Sequence, residues 1–155
     1  MAGNEMPKLR DEHKRLSAFE GMWRGEETIY PSPWETNGGK AMGVFRNRLD
    51  LDGFALFSDY TEERDGKVVF RGHGIYAHDS KAYRMYWFDS IGATPDGWST
   101  GQWIGDSLVF LEATPVGVNR MTLQLVNANE HIFRMETSPD GTNWKPTMEG
   151  RYKRQ

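Results

Sequence analysis

The chain has 155 residues, a net charge of −3 and no cysteine, and its length fits one domain over residues 1–155. The missing cysteine excludes disulfide bonds, thiolate metal sites and a cysteine nucleophile. No basic run is dense enough for a nucleic-acid partner, and no apolar run approaches the roughly 20 residues of a membrane span. We therefore expect no nucleic-acid partner, no membrane and a cytoplasmic protein.

One helix is predicted near the start of the chain, over Pro7–Glu20. Residues spaced three or four apart lie on one face of such a helix, and here they are Leu9, His13, Leu16 and Phe19. Pro7 suits a first turn and Gly21 suits the position after the last one. The helix therefore presents one mixed apolar face to the rest of the domain.

After Gly21 the apolar residues recur at every second position, which is typical of half-buried β-strands. The predicted strands are Met22–Tyr30, Lys40–Leu51, Phe54–Arg64, Lys67–Ala77, Ala82–Asp89, Ser99–Ile104, Ser107–Thr114, Arg120–Asn127, His131–Ser138 and Lys145–Lys153. Turn residues separate them at close spacing, and no second helix of crossover length occurs. We therefore predict an all-β fold, an antiparallel up-and-down barrel of roughly ten strands with the helix closing one end.

A cavity is predicted inside this barrel, because ten strands enclose more space than their own side chains usually fill. The loops Pro31–Gly39 and Ser90–Trp98 are the longest and are expected to form its rim. Alternation places large apolar residues on the inner side of the strands, including Phe45, Tyr83, Met85, Trp87 and Met121. An aromatic-lined cavity of this kind is the usual site for a small molecule.

Charged residues on the same sides of their strands are candidate ligand-binding groups. Glu27 shares its side of the first strand with Trp23, and Asp89 follows Trp87 on the same side of its strand. Arg134 shares its side with Glu136, so these two are expected to pair. A buried carboxyl without a charged partner has a raised pKa and can serve as an acid or a base.

His73 stands out among the histidines because Gly72 and Gly74 flank it. Two interpretations remain open. The glycines either allow the barrel to curve while His73 bonds a neighbour, or they give a ligand room to approach, which makes His73 a candidate ligand-binding residue. No metal-ligand spacing occurs, and a site built by His73 with Asp59 or Asp89 would need separate strands, so we expect no metal and no cofactor.

The stretch Phe19-Glu20-Gly21-Met22-Trp23-Arg24-Gly25 contains a Gly-x-Trp motif where the helix meets the first strand. It resembles the signature of lipocalin-like (calycin) barrels. The resemblance implies that Trp23 fills the closed end, with an arginine near the end of the last strand packed over its ring. If Tyr152 faces inward, alternation selects Arg154 and turns Arg151 to water. The Trp23–Arg154 pair is then structural, a cation–π contact of about 1 kcal/mol.

Two narrower resemblances follow. The segment Trp23-Arg24-Gly25-Glu26, with Tyr30-Pro31 after it, is similar to the first strand of nitrobindins, which are heme-binding barrels. Nitrobindins ligate the heme iron through a histidine late in the chain, and Gly141–Gln155 contains none, so heme binding is not carried over. Nearly the whole chain resembles DUF1579, a bacterial family of unknown function, through the segments Arg71-Gly72-His73-Gly74-Ile75-Tyr76, Met85-Tyr86-Trp87-Phe88-Asp89-Ser90 and Ser138-Pro139-Asp140-Gly141.

The leading hypothesis is a protein that binds a small apolar or aromatic molecule inside the barrel. Three alternatives stay open. One is an isomerase, cyclase or hydrolase that uses His73 and a buried carboxylate as acid and base. Another is heme or metal binding by His73 or His131. The third is an interaction module, favoured if the rings of Trp34, Trp98 and Trp103 are exposed. The sequence also leaves a homodimer open.

Overall fold

The strands close into a barrel in the computed structural model, which describes residues 3, 5–33, 35–92 and 97–155. Within these residues the strands are β1 (Gly21–Ile29), β2 (Gly39–Asp50), β3 (Ala55–Arg64), β4 (Lys67–His78), β5 (Tyr83–Asp89), β6 (Ser99–Ile104), β7 (Ser107–Thr114), β8 (Gly117–Asn127), β9 (Glu130–Ser138) and β10 (Lys145–Arg154). Each pairs antiparallel with the next along the chain, and β1 pairs with β10. The predicted ten-stranded antiparallel barrel is therefore confirmed.

The strand bounds follow the period-two pattern closely, and the main difference is at β8. This strand begins at Gly117, three residues before the predicted Arg120, because Thr114 and Gly117 are already paired across the hairpin. Only Pro115 and Val116 remain in the turn. A two-residue hairpin leaves no room for the longer loop that the proline and glycine indicate.

The predicted helix over Pro7–Glu20 is wrong in its length. The structure has a short helix, α1 (Asp11–Arg15), followed by a 3₁₀ turn over Leu16–Phe19. The backbone N–H of Arg10 donates to His13 Nδ1 at 3.0 Å, which starts the helix at Asp11 and leaves Arg10 extended. Among the described residues, no helix is both long and apolar enough to cross a membrane.

Trp23 fills the barrel at the end covered by the 3₁₀ turn. It is fully buried, and its Nε1 donates to the Phe19 carbonyl at 2.9 Å. The guanidinium carbon of Arg154 lies 4.2 Å from the centre of the Trp23 ring, which is the contact that the resemblance to calycin barrels implies, with the arginine that alternation selects. Arg154 also donates to the carbonyls of Glu20 and Ala128. The side chains of Trp23 and Arg154 thus close this end of the barrel, and a ligand site is left to the opposite end.

Candidate functional site

A cavity of about 320 Å³ lies in the half of the barrel away from α1. Aromatic side chains form most of its wall, namely Phe45, Tyr60, Phe70, Tyr76, Trp87, Phe110 and Phe133. Four methionines complete the apolar lining, namely Met85, Met121, Met135 and Met148. Methionine is flexible and polarizable, so such a lining can adapt to ligands of different shape. The volume lies at the lower end of the range typical of small-molecule sites.

Two glycines on the neighbouring strand leave the space that the Trp87 ring occupies. Residues 72 and 74 of β4 face inward, and β5 runs beside them with Gly74 opposite Trp87. A side chain at Gly72 would collide with the indole ring, and one at Gly74 would reach 3.1 Å from it. The two glycines therefore serve the packing of Trp87, and His73 between them points to the other side of the sheet.

Polar groups reach the cavity from several strands, and some of their donors are bound to protein acceptors. Trp87 Nε1 donates to Asp89 Oδ2 at 3.1 Å. Arg120 donates through Nε and Nη2 to the Glu136 carboxylate at 3.1 and 3.0 Å. Glu62 faces the cavity with its carboxylate 2.8 Å from Arg64 Nε. Ser99 and Asn119 add a hydroxyl and an amide to this lining, so its polar part contains both donors and acceptors.

Behind the cavity wall, Glu27 is fully buried between two tyrosines. The Tyr60 hydroxyl lies 2.7 Å from both carboxyl oxygens, and the Tyr152 hydroxyl lies 2.5 Å from Oε1. Burial raises the pKa of Glu27 to about 7, although the two tyrosine donors act to lower it. The pKa of Tyr60 is raised by burial and by Glu27, so its hydroxyl keeps its proton. Gly43 leaves the space that the carboxyl group occupies.

Five of the predicted site residues line the cavity: Phe45, Met85, Trp87, Asp89 and Met121. Glu27 is one layer deeper, since it contacts Tyr60, which is part of the wall. The loop over residues 90–98 contributes Ile91 to the rim, whereas the described residues of Pro31–Gly39 contribute nothing to the lining.

Three predicted site residues do not line the cavity, and these placements are corrections. His73 lies on the outer face with its side chain 72% exposed, where Nδ1 is 2.7 Å from Asp59 Oδ1. Arg134 also faces outward and donates to Glu149 at 2.7 Å, not to Glu136. Tyr83 faces inward but belongs to the closed end, because its hydroxyl donates to the Glu12 carbonyl at 2.8 Å.

These placements bear on the alternative functions. His73 and Glu27 lie on opposite faces of the sheet, so they cannot act as acid and base on one substrate. The described residues that line the cavity include no histidine, and the same part of the chain contains no group of three His, Cys, Asp or Glu residues that could hold a metal ion. Neither the enzyme hypothesis with His73 nor a histidine-ligated heme in the cavity is supported by this geometry.

The three tryptophans of the interaction hypothesis have different surroundings. Trp98 is about half exposed and packs against the Tyr86 ring at 3.6 Å between centres. Trp103 packs against the barrel core and is covered by the Arg15 guanidinium at 3.9 Å. Trp34 lies outside the described residues. One half-exposed ring does not make the broad apolar patch that this hypothesis requires.

Sequence reasoning missed much of the wall contributed by β3, β4, β9 and β10. Tyr60 is the most informative example, because β3 carries polar residues on both of its faces and its alternation is weak. The pairing register between β2 and β3 is the signal that could have identified Tyr60. Tyr60 lies opposite Phe45 on β2, and Phe45 was assigned to the interior.

At the closed end, His131 is buried among rings. It lies edge-on to Trp23 at 4.5 Å and stacks on Tyr152 at 5.2 Å between ring centres. Burial, with the Arg154 charge adding to it, lowers the pKa of His131 to about 4, so the ring is neutral at physiological pH. His131 therefore has a packing role at the closed end. Phe45 and Phe133 lie between it and the open rim.

Comparison with known proteins identifies the family and the fold. Residues 8–154 match the profile of DUF1579, a family described as protein of unknown function. No curated protein matches the chain. Rv2717c from M. tuberculosis has a similar structure, with a TM-score of 0.72 and 14% identity over 96% of this chain and 99% of its own.

Two further structures share the fold at low identity. The S-type phycobiliprotein lyase CpeS from Guillardia theta has a TM-score of 0.62 at 8% identity, over 96% of this chain and 98% of its own. A DUF3598 protein of unknown function from Nostoc punctiforme has a TM-score of 0.58 at 11% identity, over 100% of this chain and 54% of its own. Likenesses at this level of identity establish the barrel fold alone.

Proposed function

We propose that this chain, which belongs to the DUF1579 family, binds a small apolar or aromatic molecule in the barrel cavity. The observation that carries the proposal is the 320 Å³ cavity lined by aromatic rings and methionines. Each square ångström of apolar ligand surface removed from water contributes roughly 25 cal/mol. The similarity in fold to a phycobiliprotein lyase is consistent with a barrel of this shape acting on a small molecule.

The test is a titration with a panel of apolar and aromatic compounds, followed by tryptophan fluorescence and thermal unfolding. Trp87 lies in the wall, so an occupant will change its emission. A ligand at about 100 times its Kd stabilises the protein by roughly 2.7 kcal/mol, which raises Tm. The absence of any response across the panel would overturn the proposal.

Matched variants locate the binding. Met121→Trp fills the cavity from β8 and is expected to abolish the response. Met22→Trp makes the same replacement at a methionine of β1 that is 39% exposed, and it should leave the response unchanged. Equal binding by both variants would place the ligand outside the barrel and contradict the proposal.

We also propose a cytoplasmic location. The supporting observation is a chain of 155 residues without cysteine, since small secreted domains commonly depend on disulfides. Fractionation of cells that produce the protein from its own gene tests this, and recovery outside the cytoplasmic fraction would contradict it.

A further inference from the structure

Three methionines form a continuous row across the inner face of β8, β9 and β10. Met121 lies opposite Met135 where β8 pairs with β9, and Met135 lies opposite Met148 where β9 pairs with β10. All three residues line the cavity. Three thioether side chains from consecutive strands therefore stand next to one another and face the same enclosed space.

The inward direction of the row follows from alternation toward the closed end. Leu123 lies two residues after Met121, and Phe133 lies two residues before Met135; both are buried in the barrel. On β10, Tyr152 lies four residues after the methionine of the row and is fully buried. Residues two or four apart on a strand share a face, so the three methionines lie on the core side of their strands.

The spacing of the row allows the three sulfurs to surround one ion. Directly opposed residues on antiparallel strands have Cβ atoms about 4.5–5.5 Å apart. Met121 and Met148 are therefore separated by roughly twice that distance, with Met135 between them. A methionine side chain is unbranched and has three rotatable bonds, so the two outer thioethers can turn toward the central one without a change in the backbone.

The surroundings of the row also suit a metal ion. At one end Phe110 lies opposite Met121, and at the other end Ile29 lies opposite Met148, so no charged residue continues the row. Met135 is 39% exposed, which gives an ion a path from solvent to the sulfurs. The guanidinium of Arg120 on β8 is paired with a carboxylate through two hydrogen bonds, and its charge is thereby balanced.

Thioether sulfur is a soft and uncharged ligand, and soft sulfur ligands of this kind select Cu(I), whereas Mg²⁺ and Ca²⁺ prefer oxygen. We infer that the row binds one Cu(I) ion through the sulfurs of Met121, Met135 and Met148. Cu(I) is a second class of ligand for the cavity, and its binding does not depend on the proposed binding of an apolar molecule.

Silver(I) is the probe for the first test, because it is a soft ion of the same charge that is not oxidised by air. The chain contains no cysteine, so silver meets no thiolate that would mask binding to thioethers. Calorimetric titration with silver nitrate in a chloride-free buffer should give one tightly bound ion per chain. A wild-type protein that binds no silver would overturn the inference.

Leucine variants locate the ion, since leucine has nearly the volume of methionine and lacks the sulfur. Met135→Leu removes the central ligand and is expected to weaken silver binding at least about tenfold, and Met148→Leu repeats the test should the first variant fail to fold. Met85→Leu is the matched control, because Met85 lines the same cavity from β5, which pairs with no strand of the row. Wild-type affinity in the row variants, or an equal loss in the control, would overturn the inference.

Propylbenzene titrations of the same proteins keep this inference apart from the proposed function. Met135→Leu retains an apolar lining and should bind propylbenzene as the wild type does while losing silver. If no protein binds propylbenzene but silver binds as expected, the proposed function fails for this ligand and the metal site stands. X-ray absorption of the Cu(I) form, prepared without oxygen, should show three sulfur neighbours, and nitrogen or oxygen neighbours in their place would contradict the site.

Discussion

At the scale of single residues, Glu27 combines full burial with two tyrosine hydroxyls. Its pKa is about 7 in the folded protein, against an ordinary value of 4.5. The folded state therefore holds a proton that the unfolded state releases between these two values. By linkage, this carboxyl makes the protein less stable as pH rises from about 4.5 to 7, by up to ~1.4 kcal/mol for each pKa unit of the shift.

Glu27→Gln tests this linkage. A neutral amide of the same shape does not titrate, so the variant should gain stability relative to wild type as pH rises through that interval and then level off. Urea unfolding at several pH values measures the difference. Parallel profiles for the two proteins would contradict a raised pKa at this position.

His131 predicts the opposite slope in a lower interval. Its pKa is lowered from 6.5 to about 4, so the unfolded state takes up a proton that the buried ring does not. Wild type should therefore lose stability relative to His131→Phe as pH falls from 6.5 to 4, and the same urea series measures it. Glu27→Gln is the control, since its difference from wild type changes in the other direction. A His131→Phe profile parallel to wild type would show that this ring titrates normally.

The side of the sheet on which a residue lies was predictable where the alternation pattern continued without a break to a residue known to face inward. Arg154 follows from Tyr152 in this way, and the two contacts of the closed end agree with it. Of the two interpretations of His73, the structure fits the one in which the histidine bonds a neighbour, here Asp59, and not the one in which its flanking glycines leave space for a ligand. The indole ring of Trp87 occupies that space. A bulky inward-facing ring on the adjacent strand cannot be recognised from the sequence of β4 alone.

At the scale of elements, the closed end depends on the 3₁₀ turn more than on α1. Leu16 is fully buried, whereas Leu9, assigned to the same helix face by its spacing, is 37% exposed. Leu16→Ala should therefore cost about 2–5 kcal/mol of unfolding free energy and Leu9→Ala below about 1 kcal/mol. Urea unfolding of the two variants measures this. Equal losses would mean that the longer predicted helix forms in solution.

The pairing of β4 with β5 gives a second prediction for an element. Gly72→Ala puts a methyl group into the Trp87 ring, and we expect a loss of about 1–3 kcal/mol together with weaker ligand binding. Gly74→Ala is the comparison, because its nearest indole atom is 3.1 Å away and a small shift relieves the contact. Thermal unfolding and a propylbenzene titration provide the measurements. A Gly72→Ala protein with wild-type stability and binding would contradict the close packing of Trp87 against Gly72.

Elements with a clear period of two were predicted nearly to their ends, and the helix was not. Periodicity alone does not report a side chain that caps a backbone N–H, and the His13 bond to Arg10 decides where α1 begins. Sequence reasoning likewise gave the barrel and a smaller part of the cavity wall. The rest depends on register between strands, which is fixed by pairings such as Phe45 with Tyr60 that only the fold supplies.

At the scale of the whole molecule, the closed ring of strands predicts a single cooperative unit. The ladder continues from β1 through every strand to β10 and back to β1, so no gap separates two groups of strands in the described residues. Far-UV circular dichroism and tryptophan fluorescence should therefore give coincident thermal transitions. Two separate transitions would contradict the prediction of one domain over residues 1–155.

The seam between β1 and β10 differs from the other pairings in the distance it spans along the chain. All other ladders join consecutive strands, whereas Glu27 and Tyr152 meet across 125 residues. Closing so long a loop costs more entropy than forming a hairpin, so we expect the seam to form late in folding. On the ribosome, the Glu27 network behind the cavity wall cannot assemble until β10 has emerged. A nascent chain would then have paired most of its strands before Glu27 can meet Tyr152.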